Sequence, residues 1–292
     1  MKSCSFCIPC KAKRFYSVTC LSTKDEELRR KTMAAVLKSI SRAVEKTECP
    51  SFAGTVQSEL IAKLTGNKDP FRKQKLDAIR RAKKIYPEFE KWVLSGKSDY
   101  GRFERALKLA IAGNALELSA PNYSVEMGRL RDEMRSLLGM KLSIDDTRKI
   151  YGRVTKASNV LYLCDNCGEA VFDVPLIREI IRHAALTIAV CSEPMDEDIS
   201  FNEAKLVGLG KMAPVIGKGR SYGVWKKKAP KEFWKKLGNA SLIIAKGMAN
   251  YETLDEYKEV AKGRTAFLLL VKCPAVGASL RQKEGSLVAK TV

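Results

Sequence analysis

A chain of 292 residues is long enough for one large domain or two modest ones, and 45% hydrophobic with 29% charged residues is the balance of an ordinary globular protein. The longest purely apolar stretch, AFLLLV at 266–271, falls far short of the roughly 20 residues of a membrane-spanning helix, and the start MKSCSFCIPCKAKR has no apolar signal core, so a cytoplasmic protein with no membrane partner is expected. The 53 Lys and Arg against 33 Asp and Glu give a net charge of +20, a field that attracts nucleic acid, anionic lipid or small anionic substrates without choosing among them.

In a cytoplasmic setting the nine cysteines are expected to be thiols or metal ligands rather than disulfides. Cys4, Cys7 and Cys10 form a CxxCxxC run that could place three thiolates on a zinc ion or an iron–sulfur cluster, with Cys20 or Cys49 as a fourth ligand. The alternative is a set of small buried residues on the first helix. Downstream, Met33, Val36, Leu37, Ile40, Ala43 and Val44 keep the spacing of an amphipathic helix. A second helix is predicted over 55–64, with Gly66 as its C-cap. Pro70 opens a third that carries Ile79 and Ile85, with Pro87 as its stop. Helical patterns continue at 103–118, 127–138 and 144–154, and no comparable strand pattern precedes Asn159.

Beyond Asn159 the period changes. Short apolar runs VLYL (160–163), LTIAV (186–190), APVI (213–216), SLIIA (241–245) and TAFLLLV (265–271) alternate with helix-like segments at 174–183, 202–209 and 231–237. Fully apolar strands alternating with helices indicate a mostly parallel sheet covered on both faces. Ligands of such open sheets bind beyond the carboxyl ends of the strands. There the sequence places Asp165 and Asn166 after the first strand, Glu193 to Asp198 after the second, Lys246 and Gly247 after the fourth, and Lys272 after the fifth.

Asp165, Asn166 and Asp198 offer hard oxygen donors, suited to magnesium, manganese or a similar divalent ion. Lys246 and Lys272 suit phosphate oxygens, and Gly247 lets the backbone approach an anion. A metal with lysines around a phosphoryl group supplies the charge stabilisation and orientation its transfer needs. Taken singly, Asp165-Asn166 could be a turn, Asp198 a helix cap and Lys246 a surface charge. The single histidine, His183, leaves little room for a serine–histidine or cysteine–histidine mechanism, and the chain lacks GxxxxGK[ST] and GxGxxG. The most basic stretch, WKKKAPKEFWKK at 225–236, interleaves two tryptophans with six lysines; it could stack bases, or its rings could pack on the domain beneath.

These residues fall into ordered motifs. LCDNCGEAVFD (163–173) resembles the DNxGE signature of the metal-dependent damage-control phosphatases, formerly domain of unknown function eighty-nine. IIAKGMANYETL (243–254) resembles their KGxxNYE segment, LLLVKCPAV (268–276) their closing lysine motif and AIAGNALELS (110–119) their GN element; the cysteine-rich start is similar to the archaeal-type branch. The resemblance implies an α/β fold in which a helical N-terminal domain with the cysteine-rich start (1–155) packs on a three-layer α/β/α metal-binding phosphatase domain (156–292). It implies Asp165, Asn166 and Asp198 as ligands of magnesium, manganese, cobalt or nickel, with Asp165 and Asp198 carrying the catalysis. Lys246, Gly247, Asn250 and Lys272 would hold the substrate phosphate, and Glu169 and Asn114 would sit at the site edge. Zinc at Cys4, Cys7 and Cys10 would be a second metal. The chain departs from the family pattern at Glu197, where Asn is common, at the extra Asp196, and at Met248 and Ala249, where Gln and Gly are usual.

The expected activity is metal-dependent hydrolysis of small phosphorylated metabolites such as sugar phosphates, phosphopantetheine-like compounds or damaged forms of either. Water attack on phosphorus is preferred over transient phosphorylation of an aspartate, since a ligand aspartate has its lone pairs engaged. Two other functions compete: nucleic-acid binding through the basic surface, and carboxyl methyl transfer, for which no glycine-rich adenosylmethionine loop is present.

Overall fold

The computed structural model describes residues 1–115 and 127–292. The last residues of the GN element (116–119) and the end of the helix expected over 103–118 lie outside them. Three helices lead: α1 (Cys7–Ser22), α2 (Glu26–Glu45) and α3 (Pro50–Thr65). They close on a small core of their own around Phe15, Val18, Val36, Ile40 and Ile61, with Phe71 beneath. Gly66 caps α3 at a left-handed φ of 75°, as its position predicts.

Next come α4 (Arg72–Leu94), α5 (Asp99–Ala115), α6 (Met127–Gly139), β1 (Ile144–Asp145) and α7 (Thr147–Val154). Pro87 does not end its helix: α4 runs through it to Leu94. Ile85, Phe89 and Val93 sit on one buried stripe that spans the proline, and this burial outweighs the roughly 3 kcal/mol that an interior proline costs. The sequence also reads helix from Ile144, whereas Ile144 and Asp145 pair in parallel with Val288 and Ala289. A two-residue strand leaves no periodicity to find.

The remainder is β2 (Asn159–Leu163), α8 (Ala170–Ile181), β3 (Ala185–Val190), α9 (Phe201–Val207), β4 (Val215–Gly217), α10 (Lys231–Asn239), β5 (Leu242–Lys246), α11 (Gly247–Leu254), α12 (Lys258–Ala261), β6 (Thr265–Leu270), α13 (Pro274–Leu280) and β7 (Leu287–Thr291). Among the described residues seven strands order as β1-β7-β6-β5-β2-β3-β4. All pairs are parallel except β6 with β7.

Alternation along the strands divides the core into two. Val160, Tyr162, Ile188, Ile244 and Leu268 face a layer that includes α4, α5 and α8. Leu161, Leu163, Ile243, Phe267 and Leu269 face the layer of α10, α11 and α13. This is the expected α/β/α arrangement, and the residues ahead of 156 supply both an edge strand and much of one helical layer. From β2 the chain steps outward to β3 and β4, then returns to β5 on the other side of β2. The crevice at the carboxyl ends of β2 and β5 is therefore the topological switch point, where open α/β sheets place their ligands.

Candidate active site

The floor of that crevice is stitched from two loops. Asp165 and Asn166 leave β2, while the segment after β3 folds back on itself and forms antiparallel bridges from Asp198 to Asn166 and to Met195. Asp196 takes a left-handed φ of 41° to make this turn. The Ile199 amide donates to the Asp165 carbonyl at 2.9 Å and the Cys167 amide to the Glu197 carbonyl at 3.0 Å. Backbone pairing, rather than side-chain attraction, thus holds two buried carboxylates beside each other.

Their electrostatics reflect this. Burial first, then the charges of Glu169 and Asp198, push the Asp165 carboxyl well above its ordinary range, against the pull of Lys272 and Lys218. Burial lifts Asp198 to about 6 even though Lys218 opposes it. Two clustered carboxylates that resist ionisation would be stabilised by a cation beside them. Asn166 and Asn114 each donate an amide N–H to Asp165 Oδ2 at 3.0 Å, and to Glu169 Oε2 at 3.2 and 2.6 Å. With its nitrogen so engaged, Asn166 keeps its carbonyl oxygen as the third hard donor. The donor set fits a divalent ion that prefers oxygen.

The other expected residues divide. Lys272 lines the cavity together with Asp165, Asn166, Asp198, Asn114 and Glu169. Gly247 begins α11 at φ 74°, so close to Asp165 that any Cβ there would collide with its carboxylate. Lys246 and Asn250 do not reach the cavity. The Lys246 ammonium is buried under the floor, bonded to Asp173 Oδ1 at 2.6 Å, Glu169 Oε1 at 2.9 Å and the Ala110 carbonyl at 3.0 Å. Asn250 donates to the carbonyls of Cys164 and Lys246, tying α11 to the end of β2. In this arrangement both tie neighbouring elements together beneath the floor.

Lys218 is the main residue that the sequence reading missed. It follows β4, is 1% exposed, and sends its ammonium to Asp198 Oδ2 at 3.4 Å and to the carbonyls of Ser221 and Gly223. The strand-end rule that selected the other residues would have found it had it been applied to the third apolar run. Arg14 left no signal: it lies on α1, pairs with Glu197 and Asp196, and covers the Phe71 ring at 5.3 Å. Both acidic departures from the family pattern thus share one cation on α1.

Helix α1 forms one wall of the cavity, which encloses about 700 Å³. Cys7 and Cys10 belong to that wall. The Cys4 and Cys7 sulfurs lie 4.0 Å apart and Cys10 is exposed. Among the described residues no three Cys, His, Asp or Glu side chains are grouped to hold an ion. His183 packs edge-on against Tyr151, away from the cavity. In the basic stretch, Trp225 stacks on Phe52 at 5.0 Å and Trp234 meets Tyr257 edge-on at 5.1 Å, so both rings are engaged within the protein. Among the described residues no helix is long and apolar enough to cross a membrane.

The damage-control phosphatase ARMT1-like domain matches residues 4–288. A damage-control phosphatase of Pyrococcus horikoshii is 35% identical over 285 residues, covering 97% of this chain and 95% of that protein. One from Archaeoglobus fulgidus is 31% identical over 298 residues, covering both chains in full. The crystal structure of a DUF89 family protein from Pyrococcus horikoshii superposes with a TM-score of 0.90 at 34% identity, covering 100% of this chain and 99% of that one.

Proposed function

The chain belongs to the family of the damage-control phosphatase ARMT1-like domain, and we propose from that premise that it is a phosphatase of small phosphorylated metabolites that works with a divalent ion held by Asp165, Asn166 and Asp198. The observation that carries the proposal is the meeting of these three oxygen donors with Lys272 on one cavity floor at the switch point of the sheet. An ion held there would supply neutralising charge to the phosphoryl oxygens. The chain's own groups do the rest. Lys272 adds positive charge beside Asp165, Lys218 holds Asp198 from below, and Asn114 with Glu169 fixes the orientation of Asp165 and Asn166. Hydrolysis breaks the ester P–O bond and forms a new one from water, whose proton passes to the departing alcohol.

The test is phosphate release by metal-stripped protein from an aryl phosphate and a sugar-phosphate panel, with magnesium, manganese, cobalt and nickel restored singly. Activity that returns with one of these ions and is absent in Asp165→Ala supports the proposal. No turnover with any ion overturns it for these substrates.

A further inference from the structure

Asp198 stands in the segment between β3 and α9, which contains no helix of its own. Two residues ahead of it, Asp196 is 2% exposed and takes a left-handed φ of 41°. Glycine is unstrained in that conformation, whereas aspartate is only tolerated. The turn alone would be served best by glycine. An aspartate there adds a carboxylate, and three elements distant in the chain bond to it. Ser58 of α3 donates its hydroxyl to Oδ1 at 2.9 Å. Tyr222, in the loop after β4, donates its hydroxyl to Oδ2. Arg14 of α1 reaches Oδ2 at 3.4 Å while also pairing with Glu197.

These anchors are themselves fixed. Lys218 donates to the carbonyls of Ser221 and Gly223, on either side of Tyr222, at 3.2 and 3.0 Å. The Tyr222 amide donates to the Thr55 hydroxyl at 3.1 Å, and the Arg14 guanidinium lies over the Phe71 ring. The loop after β4 meets the ligand segment a second time, where the Arg220 Nε–H donates to the Pro194 carbonyl at 3.0 Å.

We propose, resting on the metal-dependent reading above, that Asp196 is a positioning residue for the divalent ion. Its carboxylate, gripped by Ser58, Tyr222 and Arg14, sets the place of Asp198 two residues on, so that α1 and α3 govern metal affinity through it. The strained turn is kept because the side chain it presents is needed there. Partners that orient a metal ligand from behind typically contribute about 10–100-fold to affinity.

The test is calorimetric titration of manganese into the metal-stripped full chain, with the metal-free Tm read alongside. Asp196→Gly relaxes the backbone and removes all three bonds; its manganese Kd is expected to rise by about 10–100-fold. Asp196→Asn removes the charge but keeps an acceptor for Ser58 and Tyr222, so its Kd should fall between those of the glycine variant and the native protein. Ser58→Ala and Tyr222→Phe leave the charge in place and remove one bond each. Each should raise the Kd by about threefold or more, and they carry the test if the glycine variant does not fold. Native Kd values in both hydroxyl variants overturn the inference, because any loss in the Asp196 variants is then charge acting at a distance. A native protein that binds no manganese overturns it as well. Phosphate release from an aryl phosphate at saturating manganese is measured separately. Shifted Kd values with no turnover by the native protein defeat the phosphatase reading and leave the inference standing, and turnover with unshifted Kd values does the reverse.

Discussion

The Lys246 ammonium sits 2.6 Å from Asp173 Oδ1, and neither side chain has any exposed surface. Glu169 Oε1 completes the cluster at 2.9 Å, so one lysine answers two buried carboxylates under the cavity floor. Burial raises Asp173 to about 6 despite the lysine, and the pair is costly to break from one side. Lys246→Met is expected to destabilise the fold by about 3–5 kcal/mol, since it strands two buried acids. Urea denaturation measures this. A variant with native stability and only a raised KM would instead make Lys246 a phosphate ligand.

Gly247 tests the opposite kind of constraint. Its φ of 74° and its approach to Asp165 exclude any side chain. Gly247→Ala must shift either α11 or the Asp165 carboxylate, at a conformational cost of about 1–2 kcal/mol before the clash. Activity should fall by more than stability alone accounts for, as a Tm and kcat/KM comparison would show.

Asp165 is held among like charges by burial, Glu169 and Asp198. In metal-free buffer Asp165→Asn should therefore melt no lower than the native protein. Adding manganese should raise the native Tm and leave the variant nearly unmoved. Equal shifts in both proteins would place the ion elsewhere.

Lys218 touches Asp198 but does not line the cavity. Lys218→Met is expected to weaken metal affinity or activity by about 10–100-fold, as loss of a ligand's supporting partner does. Titrating activity against manganese would separate a shift in the midpoint from a loss in the plateau.

Acid sensitivity should trace to Glu203, which opens α9 just beyond Asp198. Burial works to raise its pKa, but hydrogen bonds from Ser200 and the charge of Lys75 bring it below the ordinary value of 4.5. A carboxylate depressed in the fold stabilises it above the unfolded value and loses that contribution as pH falls through the folded one. Between about pH 5 and 3 the native Tm should fall more steeply than that of Glu203→Gln, which is less stable at neutral pH by about 1–3 kcal/mol. Parallel pH profiles would rule Glu203 out.

The sequence by itself determined the parallel sheet, because strands buried on both faces are written as unbroken apolar runs. It placed Asp165, Asn166 and Lys272 just past strand ends, and Asp198 in the segment after β3, for the same reason. Lys246 also ends a strand, yet strand-end position does not record which way a side chain leaves the backbone. Only the packing of α5 and α8 against the sheet supplies Ala110, Glu169 and Asp173, which draw its ammonium beneath the floor. Lys218 was legible in the same code and was passed over. Pro87 and the two-residue β1 were not legible: tertiary burial overrides the proline, and a strand so short has no period. The cavity wall of α1 belongs wholly to the tertiary structure. Arg14 lies 182 residues from Asp196 and 183 from Glu197 in the chain, and no local pattern encodes contacts made at that separation.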